Sequence, residues 1–414
     1  MLSLFKSNRQ FRILLAYQIF SGLGGGVFGM FMLLSIHLLY QNPMYTGIAG
    51  FLMAAPAVFS FAVGPLVDRK NKVTIMRLTT LLEFFVLALV TFTPLMEQIG
   101  VIFMFGVIVV YCTAALFENP ASNALLPQIV KEDEILPANS LIQIAALTGG
   151  IGIAVILFTA LGEDMNLRYI YGLSTVLLAM AFASALFLRD PSAKKEKDSV
   201  ITVRFKQDLL EGISFLRGNV LRFIALAFIA RMFVAEMGAV NMPRFAETHV
   251  GAQGYIVFTM VALVSGIFAS FFAGLVGKKL NVGWILFALT VLGGVSRIIF
   301  VLVLPNVYIA GLLALATYAL LLNIGGITFR SMMQKLPPKD KVGRVDTLFT
   351  TFAAIFVALG ALAGGFIGRA VEVVDHVFIL QGTGYAIIGI LLFLVPVVRK
   401  LPKLDELKRD EDAE

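Results

Sequence analysis

Residues 64–73 read GPLVDRKNKV and lie at the junction of two long apolar runs, 46–67 and 74–95. Each run has about the 20 apolar residues that a helix needs to cross the hydrocarbon of a bilayer. The connection 68–73 is too short to return the chain across a membrane, so the two helices must be antiparallel. This stretch therefore predicts a hairpin of two membrane-spanning helices joined by a basic turn.

The whole chain continues this pattern. Of its 414 residues, 59% are hydrophobic and 14% are charged, against about 45–50% and about 25% in soluble domains. This composition excludes a soluble cytosolic enzyme, because too few charged residues are present to cover its surface. Apolar runs of sufficient length predict twelve spans, numbered 1 to 12 in chain order: 12–39, 46–67, 74–95, 100–118, 141–161, 169–188, 220–242, 253–276, 282–304, 307–328, 346–369 and 377–398.

The basic residues predict the orientation of these spans. An even number of spans places both termini on one side. Of the 33 lysines and arginines, Arg231 and Arg297 lie well inside spans, and only Arg168, Arg244 and Arg369 lie at or beyond the span ends opposite the termini. Because cytoplasmic loops of membrane proteins are rich in Lys and Arg, both termini are expected to be cytoplasmic. The net charge of +7 is thus explained by orientation, and no nucleic-acid partner is expected.

The chain is expected to consist of two related halves. Residues 1–188 would form an N-terminal bundle of six helices and 220–398 a C-terminal bundle, with 399–414 as a charged cytoplasmic tail. The linker 189–219 has apolar residues at helical spacing among charged ones, which indicates an amphipathic helix on the membrane surface. GLVGKKLNVG from Gly274, after span 8, echoes the stretch after span 2. Such echoes at equivalent positions are typical of parallel repeats.

With these features the chain resembles the major facilitator superfamily of transporters. Gly64, Asp68, Arg69 and Lys72 match the superfamily's pattern in the loop between spans 2 and 3. The stretch NPASNALLP at 119–127, with Ala138-Asn139-Ser140 after it, is similar to the drug:proton antiporter branch that holds macrolide-efflux proteins and the enterobactin exporter. The resemblance implies an all-α integral membrane fold of twelve helices in two pseudo-symmetric bundles, and efflux across a bacterial inner membrane, in most cases by a monomer.

The resemblance also implies a gate and leaves the proton site open. Asp68 would contact the opposite side of the cytoplasmic gate, assisted by Arg69 and Lys72 after Gly64; a solvated basic turn is the alternative. The branch's better-studied members carry an arginine in span 4 and a Gly-Pro motif in span 5. Residues 100–117 contain no basic residue, and LTGGIG at 147–152 contains no proline. Proton coupling would therefore need other residues.

Four ionisable residues lie well inside apolar spans: Glu83, Arg231, Glu236 and Arg297. A charge at the centre of a span costs about 2.5–3.5 kcal/mol on insertion scales, so each needs a partner, a water-filled cavity or a function. Glu236 in span 7 is the leading candidate for exchanging a proton or a cationic substrate, and a fixed ion pair with Arg231 or Arg297 is the alternative. Arg231 and Glu236 differ by about 140° around their helix, so different partners are expected. Glu83 and Arg297 are interpreted as structural charges, either in local ion pairs or with side chains that snorkel to the interface.

Further polar residues could line a substrate cavity. These candidates are Gln18, Ser21, Asn241 and Asn323, with Glu118 and Asn119 at the expected end of span 4. With Phe20, Phe28, Phe31 and Phe233 they would form a large apolar pocket with few hydrogen-bonding groups, which suits a lipophilic or amphipathic molecule. Glycines at four-residue spacing, such as Gly360, Gly364 and Gly368, are interpreted as helix-packing positions.

Three functions follow in order of preference. The first is proton-coupled efflux of a drug, macrolide-like or siderophore-like molecule, and the second is translocation of lysophospholipids or glycolipids by the same fold. A membrane enzyme or receptor is disfavoured, because the spans contain no clustered catalytic residues. No phosphate-binding loop is present, so no ATP or other cofactor is expected. The three scattered histidines, His37, His249 and His376, do not predict a metal site. Protons, the small-molecule or lipid substrate and the surrounding membrane lipids are the expected partners.

Overall fold

The computed structural model describes residues 8–93, 98–131, 134–135, 138–139, 141–142, 145, 166–191, 220–338 and 342–407, without the side chains of Pro65, Asp68 and Arg69. Within these ranges the regular structure is helical, apart from one isolated β-bridge between Asn281 and Lys403. Ten helices are long and apolar enough to span a membrane, and a bent pair supplies an eleventh span. The predicted all-α membrane architecture is confirmed.

The helices keep the numbers of the spans that they form. Span 5 falls almost entirely outside the described residues, as does most of the linker 189–219, including its expected amphipathic helix. The bounds of the other eleven spans are Arg9–Tyr40 (span 1), Pro43–Ala54, Ala55–Phe59 and Ser60–Arg69 (span 2), Lys72–Phe92 (span 3), Val101–Ile129 (span 4), Leu167–Leu186 (span 6), Leu221–Ala239 and Met242–Val250 (span 7), Gln253–Lys279 (span 8), Val282–Val303 (span 9), Tyr308–Lys335 (span 10), Val342–Ala370 (span 11) and Asp375–Leu394 (span 12). After span 12, a helical turn Pro396–Arg399 and a 3₁₀ turn Leu404–Glu406 follow.

Span 4 is much longer than its apolar run. The run ends at Glu118, but the helix continues through Pro120 and Pro127 to Ile129. Proline in a membrane helix is tolerated where other groups bond the carbonyls that it leaves free. Pro120 leaves the carbonyl of Leu116 without its helical donor, and the side-chain amide of Asn119 donates to the adjacent carbonyl of Ala115. The expectation that Glu118 and Asn119 end span 4 is therefore wrong, and both lie inside the helix.

Spans 2 and 7 are interrupted. The 3₁₀ segment Ala55–Phe59 contains Pro56 and separates the two helices of span 2. Proline removes a backbone donor and disturbs the preceding turn, which accounts for the break. Span 7 bends by 43° between its two helices, where Pro243 begins the second one. Proline suits the first turn of a helix, whose amides have no helical partner.

The contacts between residues divide the chain into two compact units. The first unit contains 1–41 and 55–203, and the second contains 42–54 and 204–414. The first helix of span 2 is thus grouped with the second unit, where it packs on span 11. The expected domain boundaries at 188 and 220 enclose the linker 189–219, most of which is outside the described residues, so these boundaries stay predictions.

In the first unit, spans 1 and 6, spans 3 and 4, and spans 3 and 6 pack in pairs. Their core is apolar and includes Phe11, Leu14, Met76 and Leu125, all fully buried. Arg77 of span 3 donates to the carbonyls of Ala185, Leu186 and Leu188 at the end of span 6. A cation suits this place because the last carbonyls of a helix have no helical partner and carry partial negative charge.

In the second unit, glycines allow close packing between helices. An added Cβ on Gly360 of span 11 would overlap the carbonyl oxygen of Phe233 of span 7, and one on Gly364 would overlap that of Met237. Gly294 of span 9 and Gly382 of span 12 approach each other in the same way. Small residues permit such contacts in membranes, where van der Waals packing drives helix association. The packing interpretation of the glycine stripe on span 11 is confirmed.

The outer surface of the helices carries large exposed apolar side chains. Examples on several spans are Phe85, Phe92, Phe271, Leu302 and Leu394, each more than half exposed. A water-soluble surface rarely carries so many, whereas lipid tails are a suitable solvent for them.

Candidate functional site

Polar side chains form one buried cluster in each unit. The carboxyl cluster of the first unit consists of Tyr17, Ser21, Thr80, Glu83 and Glu118. The arginine cluster of the second unit consists of Arg231, Arg297, Tyr318, Gln381 and Tyr385. Both lie within helices that are otherwise apolar, where each polar group needs a compensating interaction.

Glu118 is the centre of the carboxyl cluster. It is 6% exposed, and its Oε1 accepts hydrogen bonds from the Tyr17 hydroxyl at 2.6 Å and the Ser21 hydroxyl at 2.5 Å. Tyr17 and Ser21 are four residues apart on span 1, so they project from the same helix face. The Tyr17 oxygen also lies 2.8 Å from Oγ1 of Thr80 on span 3. Since the single phenol hydrogen goes to Glu118, Thr80 is the donor in that contact.

Glu83 lies beside Glu118 and has no cationic partner. It is 1% exposed and stands three residues after Thr80, on the same face of span 3. Its carboxyl group interacts with that of Glu118, but neither of its oxygens makes a hydrogen bond of normal geometry within the described part of the chain. The local ion pair expected for Glu83 is not present there, and a second carboxyl group occupies its place.

Other predicted cavity residues of the first unit have varied surroundings. Gln18 donates to the hydroxyl of Ser122 on span 4 at 2.8 Å, and its own carbonyl oxygen is buried without a described partner. Asn119 is exposed, with its amide on the carbonyl one turn before it. Phe28 is buried and stacks on Tyr111 at 3.9 Å between ring centres. Phe28 is therefore a packing residue in this structure.

Arg297 is the most deeply buried cation of the second unit. It is 2% exposed, and its Nε donates to Oε1 of Gln381 at 2.8 Å. Its guanidinium carbon lies 4.6 Å from the ring centre of Phe378 and 4.7 Å from that of Tyr318, within the range of cation–π attraction. Gln381 in turn donates to the carbonyl of Ala235. Spans 9, 12 and 7 are thus connected without a carboxylate.

Arg231 and Glu236 have different surroundings, as their angular separation predicts. Arg231 donates to the carbonyl of Leu322 on span 10 at 2.9 Å and lies 4.0 Å from the ring centre of Phe228. Glu236 is partly exposed and faces Gly50 of span 2, where an added Cβ would lie 3.8 Å from its Oε1. Within the described ranges it forms no ion pair with either arginine of the cluster.

The two predicted asparagines differ in exposure. Asn241 is buried at the bend of span 7 and donates to the carbonyls of Met237 and Gly364. It therefore connects span 7 to the glycine stripe of span 11. Asn323 is exposed on span 10, and its amide donates to the carbonyl of Ala319.

The predicted gating segment lies at the end of span 2. Gly64 is inside the helix Ser60–Arg69, and Lys72 begins span 3, where its backbone amide donates to Asp190 at 2.8 Å. The side chains of Asp68 and Arg69 lie outside the description, so their gating role stays a prediction.

Sequence reasoning missed five members of these clusters. They are Tyr17, Thr80, Tyr318, Gln381 and Tyr385; the hydroxyls of Tyr318 and Tyr385 lie 3.2 Å apart. Each of them is a hydrogen-bonding side chain without a formal charge in an otherwise apolar span. A search for charged residues, or for polar residues in the expected cavity-lining spans, does not find such side chains.

A histidine and a carboxyl group are in hydrogen-bond contact between the second helix of span 7 and the start of span 12. His249 Nε2 and Asp375 Oδ1 are 2.7 Å apart. In the ranges that the structure describes, no group of three or more metal-ligating side chains could hold a metal ion.

Comparisons with known proteins agree with this architecture. The family model of the Major Facilitator Superfamily matches residues 14–361. Macrolide efflux protein A of Streptococcus pyogenes is 22% identical over 357 residues, covering 83% of this chain and 85% of that protein. The crystal structure of the nucleoside transporter NupG superposes with a TM-score of 0.74 at 13% identity, over 94% of this chain and 99% of that one. The crystal structure of a D-xylose–proton symporter superposes with a TM-score of 0.71 at 11% identity, over 96% of this chain and 98% of that one.

Proposed function

The chain belongs to the major facilitator superfamily, and from this premise we propose that it exports a lipophilic or amphipathic small molecule in exchange for protons. The superfamily consists of transporters, and its twelve-helix fold is that of this chain. The proposed substrate class is supported by the similarity to a macrolide efflux protein over most of both chains. The proposed mechanism is alternating access.

One observation supports the proton coupling: the carboxyl group of Glu236 lies inside a membrane span and forms no ion pair within the described ranges. The two arginines that could have paired with it donate to Leu322 and Gln381 instead. Its partial exposure leaves it open to a proton or a cationic group. An intramembrane carboxylate of this kind is expensive unless it has a function.

The proton gradient supplies enough energy for such a cycle. One elementary charge crossing 100 mV provides about 2.3 kcal/mol, which corresponds to roughly fiftyfold accumulation of substrate per proton. In the proposed cycle, Glu236 takes a proton from outside as the outward-open protein releases its substrate, and the neutral carboxyl group permits the return to the cytoplasmic side. Loss of the proton to the cytoplasm makes the carboxylate ready to receive the next substrate molecule.

Accumulation of radiolabelled erythromycin in inside-out membrane vesicles tests the proposal. An imposed pH gradient, acid inside, should stimulate accumulation, and Glu236→Gln should abolish the stimulation. Glu372→Gln, which alters an exposed carboxyl group at the outer end of span 11, should retain it. Gradient-independent accumulation that Glu236→Gln leaves unchanged would refute the proposal. Movement of a fluorescent lysophospholipid in place of erythromycin would favour the lipid translocator that the sequence also allows.

A further inference from the structure

We infer that Glu83 and Glu118 form a second proton-binding site, in which two carboxyl groups hold one exchangeable proton inside the first unit. This inference rests on the proposed proton coupling for its role in transport, but the site itself is argued from geometry. It differs from Glu236, which is a single carboxyl group in the other unit.

The two carboxyl groups have no counter-charge in the described part of the chain. Glu83 and Glu118 are 1% and 6% exposed, and neither forms an ion pair with any lysine, arginine or histidine in the described ranges. Span 5, which is outside those ranges, contains no basic residue in 141–161. Of the two basic residues of span 3, Arg77 is bound to carbonyls at the end of span 6, and Lys72 begins the helix, three turns before Glu83. Two adjacent carboxylates in such a place would repel each other without compensation.

The carboxyl groups of Glu83 and Glu118 differ in their hydrogen bonding. Oε1 of Glu118 accepts from Tyr17 and Ser21, an arrangement that stabilises a carboxylate. Both oxygens of Glu83 are buried and lack a donor, and an unsatisfied charged oxygen is costly there. A proton on Glu83 neutralises that group and donates a hydrogen bond to Glu118. A single proton therefore removes both the unsatisfied charge on Glu83 and the repulsion between the two carboxylates.

The other titratable groups near the pair are weaker acids. Tyr17 of span 1 and Tyr111 of span 4 both interact with the two carboxyl groups, and Cys112 of span 4 interacts with Glu83. Tyr171 of span 6 is bound to Ser35. Phenol and thiol groups titrate far above carboxylic acids, so the exchangeable proton belongs to the carboxyl pair.

Polar side chains continue from this pair along spans 1 and 4. Gln18 follows Tyr17 and bonds to Ser122, which lies one turn after Glu118. Asn119, the next residue after Glu118, is exposed. This row of hydrogen-bonding groups gives the proton a route that the surrounding apolar side chains do not offer.

Infrared difference spectroscopy of the full-length protein in lipid nanodiscs tests the site. The wild type should show the C=O stretching band of a protonated carboxyl group near neutral pH, and the band should shift in D₂O and disappear at alkaline pH. Glu83→Gln should remove it, because the remaining Glu118 is a carboxylate that accepts from Tyr17 and Ser21. Glu118→Gln should shift its frequency, because the proton on Glu83 then loses its carboxylate acceptor. The control Glu372→Gln should leave it unchanged. A wild type without the band, or a band that Glu83→Gln leaves in place and Glu118→Gln leaves unshifted, would overturn the inference.

Sodium provides a second arm of the test, because two carboxyl groups and three hydroxyls could also hold a monovalent metal ion. The proton site predicts the same band in sodium chloride and in choline chloride. A band that sodium chloride alone suppresses would identify a sodium site and overturn the inference.

The vesicle assay separates this inference from the proposed function. Glu83→Gln should lower gradient-driven erythromycin accumulation at least tenfold while erythromycin exchange without a gradient continues. Gradient-driven accumulation at the wild-type level would exclude the pair from coupling. If the wild type itself shows no gradient-driven transport, the proposed function fails, and the infrared band still decides whether the site exists.

Discussion

At the residue scale, Arg297 shows how a membrane protein can bury a cation without a carboxylate. Its expected ion pair is not seen in the described ranges. An amide oxygen and aromatic ring faces surround the guanidinium instead. The planar group suits this environment because it can stack and donate at once, which an ammonium group cannot do.

Arg297→Lys should therefore be strongly destabilising despite its conserved charge. It removes the charged hydrogen bond to Gln381, worth about 1.5–3 kcal/mol, together with the stacking on Phe378 and Tyr318. Thermal unfolding of the purified protein in detergent would show a clear fall in midpoint temperature. Arg369→Lys, at an exposed arginine of span 11, is the matched control and should shift the midpoint little. Equal shifts for the two variants would contradict the structural role of Arg297.

Tyr17→Phe removes the hydroxyl that joins Thr80 to Glu118. The variant keeps the ring in the apolar core and deletes only the buried hydrogen bonds, so a loss of about 1.5–3 kcal/mol in the free energy of unfolding is expected. Tyr171→Phe, which deletes one bond from a hydroxyl to Ser35, should cost about 0.5–1.5 kcal/mol. Chemical denaturation of both variants gives the comparison, and a larger loss for Tyr171→Phe would argue against the carboxyl cluster as the more stabilising network.

The sequence could identify polar residues but not the partners that they meet. Gln18, Ser21 and Glu118 were selected for a common cavity, and the structure brings all three to the interface of spans 1 and 4. Helical periodicity places Thr80 and Glu83 on one face of span 3. It does not say which helix that face meets, because the meeting depends on how all the spans pack. The approach of Glu83 to Glu118 is therefore visible only in three dimensions.

At the element scale, the glycine stripe of span 11 sets the distance to span 7. Gly364→Ala places a methyl group against the carbonyl oxygen of Met237 and the side chain of Val240. Overpacking of this kind costs about 1–3 kcal/mol, so a lower midpoint temperature is expected. Gly274→Ala on span 8 is the control, since no described atom lies within 4 Å of the added carbon. A variant Gly364→Ala as stable as Gly274→Ala would contradict the close packing.

The extent of most spans followed from the length of their apolar runs. Span 4 is the exception, because hydropathy detects apolar residues and not helices. Its helix continues beyond Glu118 through a polar segment with two prolines. The breaks in spans 2 and 7 were likewise hidden in continuous apolar sequence, although Pro56 and Pro243 mark them.

At the scale of the whole molecule, the distribution of lysine and arginine predicts the topology. A cysteine placed at Glu372 should react with a membrane-impermeant thiol reagent in intact cells, and one at Asp405 should react only after permeabilisation. Both side chains are exposed, and the single native cysteine, Cys112, can be replaced by alanine beforehand. The reverse labelling pattern would mean that the termini lie outside.

The most direct test of the account measures proton movement driven by substrate. Proteoliposomes that contain erythromycin and a pH-sensitive dye are diluted into erythromycin-free buffer at the same pH, and the signal of protein-free liposomes is subtracted. Exchange predicts that protons enter as erythromycin leaves, so that the lumen acidifies, and that Glu236→Gln abolishes the acidification. A lumen that stays at constant pH or becomes alkaline while erythromycin leaves through the protein would contradict the proposed exchange.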